Sequence, residues 1–364
     1  MSEDAAHATC NGVRPAARAL ADALPSAEQE GSMKAFVYRE YGGPEKLRLE
    51  TVATPAPGPG EVLVEIHAAS INAADYRLRR ADPWLARLAN GLLRPKKYPV
   101  LGSDLAGVVV ATGPGVTAFE RGDAVFGDAF PDGLGAFAEY ATLGVEHIAG
   151  VPQGMSMREA AAVPLAGITV LQAVRDVAAL EPGQKALIQG AGGGVGTLLV
   201  QMAKTYGAHV VAVCGPGSCE LVRRLGADRV LDYTKSDFAA EATRYDAIFG
   251  VNGRRRLSEY KRCLVPGGIY VMIGGDNAQI FDALLKGRLV FASGGKRARI
   301  LTINGKRRGD DVSELRRLLA SGELKPVVDR VFPFEDLPLA FEYAERGHVQ
   351  GKVVLQMRRS PPPG

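Results

Sequence analysis

The run from Lys185 to Tyr206, KALIQGAGGGVGTLLVQMAKTY, constrains the fold of this chain more than any other. It reads as a short buried strand, a glycine-rich turn and a helix. Lys185–Gln189 is apolar enough to cross a parallel sheet. A helix opening after Gly193 or Gly194 points its unpaired N–H groups and the positive end of its dipole into the turn, where an anion is the natural occupant. Without side chains at Gly193 and Gly196, backbone can approach a phosphate and the helix can pack closely on the strand. Ala191, Gly193 and Gly196 stand at the glycine positions of the G-x-G-x-x-G pattern, so a methyl group replaces the first hydrogen. Taken alone, the cluster would also suit a glycine turn in some other α/β domain.

The residues that follow supply the context. Ala208–Cys214 (AHVVAVC) reads as a second buried strand and Ser218–Leu225 as a short helix before Gly226, so the turn sits inside a βαβ unit. This predicts a Rossmann-type doubly wound parallel sheet, a bound dinucleotide and an oxidoreductase. The second strand end bears on which cofactor. A carboxylate about 20 residues past the first glycines binds the ribose hydroxyls of NAD and would repel a 2′-phosphate. Here Cys214, Gly215, Pro216, Gly217 and Ser218 carry no charge, and Glu220 is the first acidic residue beyond them. NADPH is the expected cofactor, with Ser218 to hydrogen-bond the phosphate and Arg223 or Arg224 to pair with it. Two arginines on a helix are equally at home in water.

At 364 residues, with 46% hydrophobic and 23% charged residues, the chain is long enough for two cores. No apolar run approaches the roughly 20 residues of a membrane span. The net charge of +4 is too slight to argue for nucleic acid. Arg254–Arg256, Lys296–Arg299 and Lys306–Arg308 lack the interleaved aromatics of a base-stacking surface and are expected to be solvated. Cys10, Cys214, Cys219 and Cys263 form no C-x-x-C pair, which excludes a disulfide scaffold and a cysteine-rich zinc site. Residues 1–32 are rich in Ala, Glu, Ser and Pro and are expected to be a disordered extension, as are 359–364 at the other end. Glu3, Asp4, Asp22, Glu28 and Glu30 contradict the acid-poor composition of a transit peptide, so a cytoplasmic location is expected.

From Met33 the pattern changes to short strands separated by turns: KAFVY, the proline turn PAPGPG, EVLVEIHAASI, LAGVVVATG and DAVFG. With PAPGPGEVLVEIHAASIN, YPVLGSDLAGVVVATGPGV with RGDAVFG, AAAVPLAGITVLQAV, the AGGGVG turn and GKVVL in that order, the chain resembles the medium-chain dehydrogenase/reductase superfamily, in its zinc-independent, quinone-oxidoreductase-like branch. The resemblance spans Met33 to Met357. It implies a GroES-like catalytic domain split into 33–153 and 306–358 around a Rossmann domain at 154–305, with the active site in the cleft between them. In this branch the turn begins with Ala, which accounts for Ala191. The zinc enzymes' cysteine, GHE sequence and four-cysteine lobe are absent: the corresponding stretches read Ile71–Asp75, Gly102-Ser103-Asp104, and a cysteine-free 124–144. A lone hard carboxylate such as Asp104 makes a poor zinc site, so no metal is expected.

Without a Lewis acid, hydride transfer is easiest to an acceptor activated by conjugation, a quinone or an α,β-unsaturated carbonyl. The protein must then aim donors at the oxygen that gains charge. The resemblance places Asn72 at the nicotinamide end, and Asn72 and Tyr76 are the candidate catalytic residues. Asn72 either donates to a substrate oxygen or holds a ribose, or else caps the helix near 75–80. Tyr76 either donates a proton or is an ordinary buried tyrosine; relatives often carry theirs one position later, where this chain has Arg77. The expected cofactor contacts are Thr169 after a Leu165–Gly167 turn, Ala191, Gly192, Gly193, Gly194, Val195, Gly196, Cys214, Ser218, Arg223, Tyr233, Val251, Gly274, Gly275 and Lys352. Asp104 can simply bond nearby backbone N–H groups.

Two other functions fit the same residues: an enoyl-thioester reductase acting on an acidic carrier protein, steered by the basic clusters, and a non-catalytic NADPH-binding sensor or structural protein. The insertion Arg79–Lys97 carries Trp84, Leu85, Leu88, Leu92 and Leu93 at helical spacing, either as a lid or as a helix packed on the core. A homodimer is expected through the edge of the Rossmann sheet, near strands at Gly268–Ile273 and Arg288–Phe291.

Overall fold

The computed structural model describes residues 31–357 apart from Leu85, Asn252, Arg254, Asp276 and Gly294. The expectations for the amino-terminal extension and the carboxy-terminal tail fall almost wholly outside the described residues.

Alternating and fully apolar runs in the first part of the chain form β1 (Ser32–Tyr38), β2 (Leu47–Ala53), β3 (Glu61–Ser70), β4 (Asp104–Thr112), β5 (Ala124–Asp128), β6 (Tyr140–Gly144) and β7 (Ile148–Gly150). The glycine turn is flanked by β8 (Lys185–Gln189), β9 (His209–Cys214), β10 (Arg229–Asp232), β11 (Tyr245–Val251), β12 (Leu264–Ile273) and β13 (Arg297–Ile300). The last strands are β14 (Val328–Pro333) and β15 (Lys352–Gln356). Strands β8 to β13 build a parallel sheet in the order β10-β9-β8-β11-β12-β13. Order therefore reverses beside β8, and in open sheets of this kind the crevice at the carboxyl ends of the strands on either side of that reversal is where ligands bind.

The sheet is buried on both faces, as a parallel sheet must be. Ala186, Ile188, Val210, Ala212, Ala247 and Phe249 face one core, while Leu187, Val211, Val213 and Ile248 face the other. The second sheet runs β14-β15-β3-β4-β5-β7, with β6 also on β3. β15 pairs antiparallel with β3, so chain from either side of the parallel sheet shares one ladder. The core of this sheet, with Val62, Val64, Leu105, Phe137 and Phe341, is separate. Ala68, Ala106 and Val354 reach from it into the core of the parallel sheet, which joins the two bodies through apolar contact.

Several local expectations are corrected. Leu289 and Val290 lie in a helix, Asn277–Val290, with Phe291 just beyond it, so the edge of the parallel sheet is β13. An apolar run this short has no period that separates strand from helix. Among the described residues of 79–97, Arg79 and Arg80 end a helix that starts at Ala73, Ala86–Asn90 form a short helix, and Trp84, Leu88, Leu92 and Leu93 are exposed rather than packed on the core. The Leu165–Gly167 turn does open a helix, as expected, and that helix starts at Pro164. The basic clusters are solvated only in part: Arg256, Arg297 and Arg299 are exposed, but Arg308 is buried against Asp128, and Arg307 and Arg255 pair with Asp176 and Asp237.

Candidate active site

Five helices and the strand ends position the site: α1 (Ala73–Arg80), α2 (Pro164–Gln172), α3 (Gly194–Thr205), α4 (Cys219–Arg224) and α5 (Asn277–Val290). β8 hands the chain to α3 through the glycine turn, with Gly193 as the N-cap. Gly190 takes φ +80°, and a Cβ there would lie 2.4 Å from Val251 O, at the end of the neighbouring strand β11. A Cβ on Gly196 would lie 2.1 Å from Gly190 O and 2.6 Å from Ala191 Cα, so this glycine is demanded by the packing of helix on strand. Gly193 is different: nothing stands closer to its Cβ position than 3.9 Å. That open position, beside the N–H groups of the first turn of α3 that have no partner within the helix, is room for a phosphate.

The neighbours of the turn are mostly those expected. Ser218 packs against Gly192, where a Cβ would meet its Oγ at 2.4 Å. The Tyr233 ring lies over Gly215 and is otherwise exposed, and the Tyr233 N–H donates to Cys214 O at 3.1 Å. Cys214 is buried, and Val195 is half-buried. Arg223 points away into water, paired with Glu220 at 3.2 Å. Along the other side, Gly351 N–H donates to Gly192 O at 3.0 Å, and the Lys352 stem covers Gly194. A nicotinamide dinucleotide fits this set: an open glycine, a helix N-terminus and an uncharged strand end.

The Lys352 ammonium goes elsewhere. It is buried, donating to Asn72 Oδ1 at 2.6 Å and to Asp104 Oδ2 at 3.0 Å. Asn72 Nδ2 donates to Ser103 Oγ at 3.1 Å and to Asp104 Oδ2 at 2.9 Å, and Ser70 Oγ donates to the same carboxylate oxygen at 2.9 Å. Asp104 Oδ1 accepts from Leu165 N–H at 2.7 Å, which ties β4 to the start of α2. Asn72 is also the N-cap of α1, and its N–H donates to Asp75 Oδ2 at 2.7 Å. Both amide hydrogens of Asn72 are thus spent within the cluster, leaving none for a substrate oxygen as found. Burial, reinforced by Asp104, pushes the Asp75 carboxyl up to about 7, against the lowering effect of the Asn72 N–H.

Tyr76 is half-buried one turn into α1, and burial raises its phenol further from ionisation. Its neighbour Arg77 donates to Gly275 O, and Asn277 donates to Asp82, so the β12 end and α1 are linked across the cleft. Gly274 and Gly275 take φ +72° and +156° there. Thr169 Oγ1 donates back to Leu165 O within α2 at 2.6 Å. The residues that sequence reasoning undervalued are Ser70, Ser103, Asp104 and Arg77. Asp104 does bond a backbone N–H, but one 61 residues away, which no local pattern reveals.

A family model described as alcohol dehydrogenase GroES-like domain matches residues 58–164, and one described as zinc-binding dehydrogenase matches 225–355. The chain is 32% identical to a 2-methylene-furan-3-one reductase of Solanum lycopersicum, over 93% of this chain and 82% of that one. It is 31% identical to the mitochondrial NAD(P)H oxidoreductase RTN4IP1 of Mus musculus, over 89% of each. It belongs to the medium-chain dehydrogenase/reductase superfamily, in the zinc-independent, quinone-oxidoreductase-like branch. The Escherichia coli quinone oxidoreductase solved with NADPH superposes with a TM-score of 0.73 at 25% identity, over 89% of this chain and all of that one. This medium-chain reductase is accordingly an NAD(P)H-dependent oxidoreductase, with a GroES-like body beside its parallel sheet. Among its described residues, no group of three or more His, Cys, Asp or Glu could hold a metal ion, and no helix is long and apolar enough to cross a membrane. In place of such a group, Asn72 and Asp104 hold the Lys352 ammonium, and Ser103 Oγ accepts from Asn72.

Proposed function

We propose that this medium-chain reductase uses NADPH to reduce a quinone or an α,β-unsaturated carbonyl compound. The observation that carries the reading is the Lys352 ammonium held by Asn72 and Asp104, which puts a fixed positive charge where a divalent cation would have to bind. An acceptor that needs no metal to polarise it suits such a site. The names of the tomato reductase and of the bacterial quinone oxidoreductase support the same acceptor class.

When bound, the reduced nicotinamide supplies the hydride. Gly193 and the first turn of α3 receive the pyrophosphate, with Ala191, Gly192, Gly194 and Val195 shaping the turn. Ser218 binds the 2′-phosphate, Tyr233 lies beside the adenosine, and Gly274 and Gly275 border the nicotinamide. Lys352, Asn72 and Asp104 hold α1, α2 and β15 in register, which keeps Tyr76 in place as proton donor to the substrate oxygen. Asn72 is in this reading a positioning residue. The protein acts in the cytoplasm as a homodimer, a location that fractionation of cells must test because the mouse relative is named as mitochondrial.

Steady-state NADPH oxidation with quinones, enones and enoyl thioesters tests the activity. Turnover of quinones or enones, unchanged in chelator-washed protein, is expected. Turnover of enoyl thioesters alone, or no turnover with tight NADPH binding, would overturn it.

A further inference from the structure

Two thiols meet beside the loop assigned to the adenosine end of the cofactor. Cys214 ends β9 and Cys219 opens α4, and their sulfurs lie 3.7 Å apart. Between them run Gly215, Pro216, Gly217 and Ser218. Cys219 is partly exposed and its Sγ lies 3.5 Å from Gly215 O, whereas Cys214 is buried. The other described thiol, Cys263, sits in a different core.

We propose that Cys214 and Cys219 form a modification site at which a hydroperoxide closes an intramolecular disulfide, and that closure weakens NADPH binding. The consequence for the cofactor rests on the loop reading given above; the thiol chemistry does not. The Cys219 thiolate attacks one peroxide oxygen. The O–O bond breaks, the other oxygen leaves with a proton as alcohol or water, and Cys219 becomes a sulfenic acid. The Cys214 sulfur then attacks the Cys219 sulfur, the S–O bond breaks, and hydroxide leaves with the Cys214 proton as water. Two thiols are oxidised by two electrons in total, and the peroxide is reduced by two.

The division of labour follows from burial. Desolvation, with the neighbouring Cys219, pushes the Cys214 thiol up to about 12, so it stays protonated while Cys219 faces the oxidant. A disulfide needs its sulfurs about 2.05 Å apart, so the pair must close by roughly 1.7 Å. Gly215 and Gly217 let the loop follow. Ser218, adjacent to Cys219, has no slack, because it already fills the space over Gly192. Drawing Cys219 inward therefore moves the phosphate-binding serine against the glycine turn.

The test uses the full chain, reduced and then exposed to hydrogen peroxide. Peptide mapping by mass spectrometry should find the Cys214–Cys219 cross-link, and NADPH affinity measured by fluorescence should fall by at least about tenfold and recover with a reductant. Cys219→Ala should bind NADPH like the reduced wild type and ignore peroxide. A cross-link through Cys10 or Cys263 instead, oxidation of Cys219 to sulfinic acid without a cross-link, or a Cys214–Cys219 bond that leaves NADPH affinity unchanged would each overturn the proposal. Failure of the loop reading looks different: reduced protein would bind NADH as tightly as NADPH before any oxidant is added, and the switch would fall with it.

Discussion

Lys352 Nζ lies 2.6 Å from Asn72 Oδ1 although 280 residues separate them in sequence. The contact joins the returning strand β15 to the loop before α1, and Asp104 closes it from β4. Removing one partner of a buried ion pair strands the other. Lys352→Met should therefore cost about 3–5 kcal/mol of stability, and adding Asp104→Asn to the same chain should restore part of it. Urea denaturation of the single and double variants measures both.

The glycines of the turn should divide by what fills their space. A Cβ at Gly196 collides with backbone, so Gly196→Ala should destabilise the protein by about 1–3 kcal/mol. Gly193→Ala meets no protein atom within 3.9 Å. Its melting temperature should match the wild type while NADPH binding weakens, because only a phosphate needs that room. Equal melting temperatures for both variants would refute the distinction.

Gly215 has φ −76° and ψ 162°, and a Cβ there would stand 3.4 Å from the Tyr233 ring, so a larger residue fits. Gly215→Asp should repel a 2′-phosphate and raise the dissociation constant for NADPH by about tenfold or more, with NADH affected less. Titration of both cofactors against wild type and variant checks the direction. Wild-type protein that binds both equally would contradict the assignment of this loop.

Asp75 gives the fold a pH dependence. Its folded carboxyl titrates at about 7, raised from the ordinary 3.8 by burial, so the folded state holds the proton more tightly than the unfolded chain. The contribution is fully present below the unfolded value, and is lost as pH rises through that interval. Wild-type melting temperature should fall from pH 5 to pH 8, and Asp75→Asn should flatten that part of the decline. An identical slope in the variant would assign the dependence to other groups.

β13 forms one end of the parallel sheet, with Ile300 exposed on it. Pairing two such edges about a two-fold axis would satisfy the free hydrogen-bonding row. Light scattering at micromolar concentration should give twice the 38.5 kDa chain mass, and Ile300→Asp should return it to the monomer. A wild-type monomer would remove the edge as an interface.

The sequence by itself determined the strand, turn and helix at Lys185–Tyr206 and the uncharged end of β9. Each is built from contiguous residues whose spacing alone sets which backbone groups meet an anion. The dinucleotide reading and the cofactor preference could be argued from those windows because their physics is local. Tertiary structure decided the rest. Residues 70, 72, 103, 104 and 352 come from three separated stretches, and only the antiparallel ladder of β15, β3 and β4 gathers them into one hydrogen-bonded cluster. The edge of the parallel sheet was hidden for a related reason. A three-residue apolar run has no period of its own, so packing against β13 and the neighbouring helix, rather than composition, made the Asn277–Val290 segment helical. Arg308 reads as one more surface charge in its basic run, yet it lies buried on Asp128 because α6 (Arg308–Ala320) docks against the β7 side of the GroES-like body.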